Sequence, residues 1–122
     1  MQRRFDQKLC PKFETAMEIL SRPWNGLLIA SLTAGPHRFG ELSERLAPIG
    51  DRILSQRLKE LEARGLVERR VLPGPPVRVE YTLTQAGRGF SGVQEAIRDW
   101  GETIDAALPK KKARRAKKAA SR

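Results

Sequence analysis

Arg52, Ser55, Gln56 and Lys59 fall in a single stretch, Asp51 to about Arg64, whose Leu54, Leu58 and Leu61 recur at helical spacing. At about 100° per residue the leucines form one stripe. Arg52, Gln56 and Lys59 fall opposite it, with Ser55 on the flank. These are side chains that hydrogen-bond to base edges. Arginine reads guanine and glutamine reads adenine through paired bonds, while serine and lysine suit bases or phosphates. A helix about 10–12 Å wide fits a major groove about 12 Å wide. An ordinary solvated helix face would carry the same residue types, so the neighbouring elements decide between the two.

Those neighbours have a definite order. Pro11 suits the first position of a helix in which Phe13, Met17 and Leu20 share a face. Pro23 is predicted to open a second helix with Trp24, Leu27, Leu28 and Leu32, ending at Gly35-Pro36. A short helix after Phe39-Gly40 carries Leu42 and Leu46. Pro48-Ile49-Gly50 then turns the chain into the Asp51 helix, which Gly65 stops. Beyond it, LVERRVL and VRVEYTL flank the stiff tip Pro73-Gly74-Pro75-Pro76 and predict a β-hairpin. In the second run Val77, Val79, Tyr81 and Leu83 share one face; the first run alternates poorly and leaves its register open.

Thr84 is expected to cap a long last helix. Along it Ala86, Phe90, Val93, Ile97, Trp100 and Ile104 recur at spacings of four and three, a seam longer than a small core needs. Gly87, Gly89, Gly92 and Gly101 weaken its intrinsic propensity, so packing must hold it, part of it against a second copy of the chain. Short helix, turn, amphipathic helix and hairpin together read as a winged helix-turn-helix, mainly α with a small β-hairpin (α+β). Arg69, Arg70 and Arg78 surround the wing and are placed to touch phosphates or the minor groove.

Charge is distributed unevenly. The 122 residues hold 24 Lys+Arg against 14 Asp+Glu, a net charge of +10. Eight of those bases lie in 109–122, which has no acid, leaving 16 against 14 in 1–108. Lys110, Lys111, Lys112, Arg114, Arg115, Lys117 and Lys118 would form a disordered, non-specific phosphate-binding tail, lacking any large apolar residue to bury. The organisation expected is an N-terminal arm over 1–9, the domain over 10–108 and the tail over 109–122.

Other chemistry is thinly supplied. Cys10 is the single cysteine and cannot pair within its chain; it precedes a helix start amid Arg3, Arg4, Lys8 and Lys12, an electropositive setting that favours a reactive cysteine. His37, the single histidine, reads as a surface or turn residue. No metal-ligand set, catalytic triad, cofactor motif or phosphate loop is present, so neither an enzyme nor a cofactor is expected. The longest strictly apolar run is Leu27-Leu28-Ile29-Ala30, too short to span a membrane. The N-terminus lacks the apolar core of a secretion signal, and a cytoplasmic, nucleoid-associated protein is expected.

From Cys10 to about Ile104 the sequence resembles the HxlR-type regulators, relatives of the MarR type. The resemblance rests on Cys10-Pro11, Trp24 with Leu28-Ile29, Arg38-Phe39-Gly40-Glu41-Leu42, the run Ile49 to Leu61, and Arg78-Val79-Glu80-Tyr81-Thr82-Leu83-Thr84. It departs where Gly50 replaces the usual Ser, Arg22-Pro23 the usual Gly-Lys, and Val77 follows the wing prolines; the tail lies outside the pattern. The resemblance implies a bacterial-type dimeric transcription factor, usually a repressor, on pseudo-palindromic double-stranded DNA. It also implies a dimer interface from the first and last helices, hence Phe13, Met17, Phe90, Val93, Ile97, Trp100 and Ile104. Some such relatives sense quinones, aldehydes or oxidants through a cysteine where Cys10 stands. A nucleoid protein coating DNA through its basic tail is the rival expectation.

Overall fold

A computed structural model describes residues 10–108. They run through α1 (Pro11–Ser21), α2 (Asn25–Thr33), α3 (Phe39–Arg45), α4 (Asp51–Ala63), β1 (Val67–Leu72), β2 (Arg78–Leu83), α5 (Gln85–Arg88) and α6 (Phe90–Ala107). Two compact units result, one reaching Phe90 and one beginning at Ser91.

In the first unit, leucines and isoleucines from three helices meet the base of the hairpin. Leu28, Ile29 and Leu32 of α2, Leu42 of α3, and Leu54, Leu58 and Leu61 of α4 are buried together with Leu46, Ile49, Val67 and Leu83. β1 and β2 pair antiparallel from Val67↔Leu83 to Leu72↔Arg78, which settles the register of the first strand. Because strand side chains alternate, Val67, Arg69 and Val71 share a face with Leu83, Tyr81 and Val79. Val77 lies outside β2 and is exposed, so it does not extend that apolar face. On the outer edge of β2, His37 and Tyr81 exchange both backbone hydrogen bonds, N–H donating to C=O at 2.9 and 2.8 Å. His37 therefore joins the α2–α3 link to the wing. Its Nδ1 donates to the Gly35 carbonyl at 2.7 Å.

Two expected helix boundaries are corrected. Pro23 does not open α2: Trp24 adopts a left-handed φ of 77°, and the helix starts at Asn25. A non-glycine residue there costs on the order of 1–2 kcal/mol, offset here as the half-buried Trp24 ring packs on the core. Leu27 of α2 points to solvent. The long last helix is also two, α5 and α6, separated at Gly89. The spacing of four from Ala86 to Phe90 spans the break without revealing it. Phe90 packs against the core, and Ala86 is exposed.

Gly87 has a reason beyond propensity. A Cβ at this buried position would overlap the Leu66 carbonyl oxygen and press on Leu83 Cδ2. The α5 backbone thus lies directly on the start of the wing. Thr84 fixes it there: its hydroxyl accepts from Gly87 N–H at 3.1 Å and donates to the Gly65 carbonyl at 2.6 Å.

No residue of α1 is fully buried; Ile19 of its last turn packs on the core, and ion pairs also join that end of α1 to α4. Arg22, just past α1, grips the Glu60 carboxylate with Nε at 3.3 Å and Nη2 at 2.7 Å. Arg64 Nη2 donates to Glu18 Oε1 at 3.2 Å. Arg57, only 6% exposed, donates from Nε to the Pro23 carbonyl at 2.8 Å and places Nη1 3.5 Å from Glu60 Oε1.

Gly87→Ala should lower stability in urea unfolding by about 3 kcal/mol, whereas Gly92→Ala, with open space around its added carbon, should gain up to about 1 kcal/mol from helix propensity. Arg22 also holds the Glu60 carboxyl below its ordinary 4.5. The stabilisation it brings is complete above that ordinary value and is lost as pH falls through the depressed one. The melting-temperature gap between the wild type and Glu60→Gln should therefore be widest near neutrality and close in strong acid.

Candidate nucleic-acid interface

α3, the turn Leu46–Gly50 and α4 make the helix-turn-helix. At its corner the α3 hydroxyl of Ser43 donates to Asp51 Oδ1 at 3.1 Å, tying the two helices together where α4 begins. Gly50 precedes α4 with φ 77° and ψ 143°, a conformation that a serine would have to leave before it could cap. The glycine is thus a backbone requirement of this turn, not merely a missing cap. At the start of α3, Glu41 Oε1 accepts the Arg38 backbone N–H at 2.7 Å.

α4 is divided cleanly between its two sides. Leu54, Leu58 and Leu61 are withdrawn from water, Arg52, Gln56 and Lys59 are exposed, and Ser55 is half-buried between them. The side chains of Arg52, Gln56 and Lys59 make no hydrogen bond or ion pair among the described residues. They are therefore free to form new bonds without breaking old ones.

The wing arginines do not act alike. All three are exposed, but Arg70 Nε already donates to Glu68 Oε1 at 2.8 Å and sits opposite Glu80 in the ladder. Arg69 occupies the other face, opposite Tyr81, while Arg78 shares the face of Arg70 at the tip end of the ladder. Neither Arg69 nor Arg78 has an ion-pair partner among the described residues. Sequence reading could not separate these arginines, because the register that pairs them with acids was open. It also missed Arg57 and Glu60, which sit on α4 among Arg52, Gln56 and Lys59 but face the protein. The signal available was Arg57 lying beside Leu58 at the edge of the leucine stripe, where a solvated arginine is out of place.

Two apolar stripes stand exposed, each within its own unit. Phe13 and Met17 lie on α1; Val93, Ile97, Trp100 and Ile104 lie on α6, with Trp100 66% exposed. Cys10 is exposed at the N-cap of α1, where its carbonyl accepts from Phe13 N–H at 2.9 Å. The tail residues Lys110 to Lys118, and the arm over 1–9, lie outside the described residues. Among those described, no His/Cys/Asp/Glu group could hold a metal ion and no helix is long and apolar enough to cross a membrane.

Comparison with known proteins matches this arrangement. The HxlR-like helix-turn-helix family model matches residues 19–107. The HTH-type transcriptional regulator YodB of Bacillus subtilis is 45% identical over 94 residues, 77% of this chain and 84% of the relative. YvaP of the same organism, an uncharacterized HTH-type transcriptional regulator, is 43% identical over 99 residues, 80% and 92% of the two chains. Among solved structures, reduced YodB superposes with a TM-score of 0.73 at 45% identity, covering 77% of this chain and 92% of that one. YodB is also known in diamide-treated and quinone-bound forms. The redox regulator HypR in its oxidised form gives a TM-score of 0.70 at 35% identity, covering 77% and 96%. Winged helix-turn-helix geometry, the family model and these relatives agree: the chain is a transcriptional regulator of the HxlR-like helix-turn-helix family.

Proposed function

We propose that the chain is a sequence-specific repressor, acting as a homodimer on a pseudo-palindromic operator in double-stranded DNA. The observation that carries this reading is the split of α4, with its leucines locked in the core and Arg52, Gln56 and Lys59 exposed and unpartnered. Each dimer would place two such helices in successive major grooves about 34 Å apart. Arg52 and Gln56 read bases, Ser55 and Lys59 add base or phosphate contacts, and Arg69 and Arg78 anchor the wing.

The exposed stripes on α1 and α6 support the dimer: six large apolar side chains in open water are costly unless a second copy covers them. Lys110, Lys111, Lys112, Arg114, Arg115, Lys117 and Lys118 add affinity and association rate without reading sequence. The protein works in the cytoplasm, on the nucleoid.

Cys10 makes the regulator responsive to oxidants and electrophiles. Support comes from its exposure at the start of an interface helix and from YodB and HypR, relatives known in redox-treated or quinone-bound forms. With one cysteine per chain, an oxidant such as diamide would take two hydrogens from two Cys10 thiols and leave a disulfide between protomers. A quinone would instead add to a single thiol.

Selection of bound sequences from random DNA, under reducing and oxidising conditions, tests the whole reading. A two-fold-symmetric consensus should emerge from the reduced wild type and weaken on oxidation, and Cys10→Ser should keep it in both conditions. Arg52→Ala or Gln56→Ala should flatten the preference. Arg69→Ala should weaken all DNA alike and lower the salt slope by about one, and Arg70→Ala by less, since Glu68 already neutralises it. Removing 109–122 should cost salt-dependent affinity, up to about seven in slope per chain, and leave the consensus intact. Loss of nearly all binding on that deletion, with no consensus from the full chain, would favour the architectural reading instead.

A further inference from the structure

Beneath the reading face of α4, three charged groups and one strained corner converge on a small volume. Arg57 leaves α4 on its inner side and is almost wholly buried. Its Nε donates to the carbonyl of Pro23, the residue just before left-handed Trp24. Its Nη1 has no hydrogen-bond partner and lies 3.5 Å from Glu60 Oε1, one turn further along α4. Both carboxylate oxygens of Glu60 are already engaged by Arg22. Next to them, Asn25 is buried; its Nδ2 donates to the Ile19 carbonyl at 3.0 Å, and its Oδ1 has no partner.

A buried guanidinium with an unused donor is costly, and replacing such groups by apolar ones often stabilises a protein. Core stability is therefore a poor account of Arg57. The bonds that cross from α4 to this corner are directional: Arg57 Nε to the Pro23 carbonyl, and the two Arg22 bonds to Glu60, so a tilt of α4 stretches one or the other. The orphan atoms on Arg57 and Asn25 are shut off from water, so the corner carries polar groups that apolar packing would not require.

We propose that Arg57, Glu60 and Arg22 are positioning residues. Together they clamp α4 at one angle to the Arg22–Asn25 corner, and so set where Arg52, Gln56 and Lys59 stand. The clamp also connects α4 to the end of α1, with Glu18–Arg64 as a second strap beside it. A displacement of α1 is thereby passed to the reading helix. Only the last step, from helix angle to base reading, rests on the function proposed above.

The test uses the full chain and two readouts. Residual dipolar couplings of the DNA-free protein measure the angle between α4 and α2; competition binding measures preference for the selected operator over random DNA. In Glu60→Gln and Arg57→Met the angle should change measurably. Operator preference should fall about tenfold, the scale of one lost bidentate base contact, while random-DNA affinity changes less than about twofold. Arg57→Lys keeps a donor for the Pro23 carbonyl and should recover much of both. The double exchange Arg22→Glu with Glu60→Arg should not recover either, because an arginine at 60 would face Arg57.

An unchanged angle in these variants, or full recovery by the double exchange, would overturn the clamp and leave Arg22–Glu60 a plain surface pair. Should Arg57→Met fail to fold, Glu60→Gln and the double exchange on the exposed rim decide the matter. A wild type with no operator preference would refute base reading, while the dipolar couplings still decide the clamp.

Discussion

The withdrawal of Leu54, Leu58 and Leu61 from water is the constraint on which α4 depends. Each buried leucine is worth about 1.5–3 kcal/mol, so the three contribute roughly 5–9 kcal/mol of gross transfer energy. Net stability of a domain is only about 5–15 kcal/mol, and rotating α4 to expose this stripe would forfeit a large share of it. One face of the helix is therefore fixed by apolar burial. Its opposite face is left to present polar groups whose positions are inherited from the leucines. Burial alone sets which face turns inward; it says little about tilt or sliding along the stripe, because apolar contacts have no direction. Directional contacts at both ends supply that information, Ser43 to Asp51 at the start and the Arg57–Glu60–Arg22 group near the finish.

The wing faces a different difficulty. A two-stranded hairpin is marginal by itself in water. Here its base is sealed by Val67 and Leu83, its free edge by the His37–Tyr81 bridge, and its root by the close approach of Gly87 to Leu66. All three anchors lie at or near the root, while Pro73 to Val77 at the tip stay exposed. The hairpin thus has a rigid root and a projecting end.

Much of this was legible because periodicity reports burial. Leu42 and Leu46, the α4 leucines, and Tyr81 with Leu83 were assigned correct sides from spacing alone. The break at Gly89 was not legible, since Ala86 and Phe90 stand four apart whether the helix is continuous or interrupted by one turn. Trp24 was misplaced because Pro23 suits a helix start, and the left-handed φ that follows is dictated by the tertiary fit of the indole. Gly87 looked like a weak helix residue; only the arrival of Leu66, more than twenty positions away, explains it. In each case the missing information was a long-range contact, to which local spacing is blind.

The same limit applies to charge, with a consequence for the interface. Positions 1–108 carry 16 bases and 14 acids, which suggests near-neutrality everywhere. Pairing in three dimensions is selective. Arg22, Arg57, Arg64 and Arg70 have acidic partners in Glu60, Glu18 and Glu68; the Arg22–Glu60 and Arg64–Glu18 pairs bind α4 to the end of α1, while Arg57–Glu60 lies within α4. Arg52, Lys59, Arg69 and Arg78 have none among the described residues. The paired arginines are neutralised locally, and leaving Arg52, Lys59, Arg69 and Arg78 unpaired concentrates positive charge on the outer face of α4 and on the wing. A domain with almost no net charge can therefore offer a local positive field to the DNA partner proposed above, while the arginines that hold α4 are already engaged elsewhere.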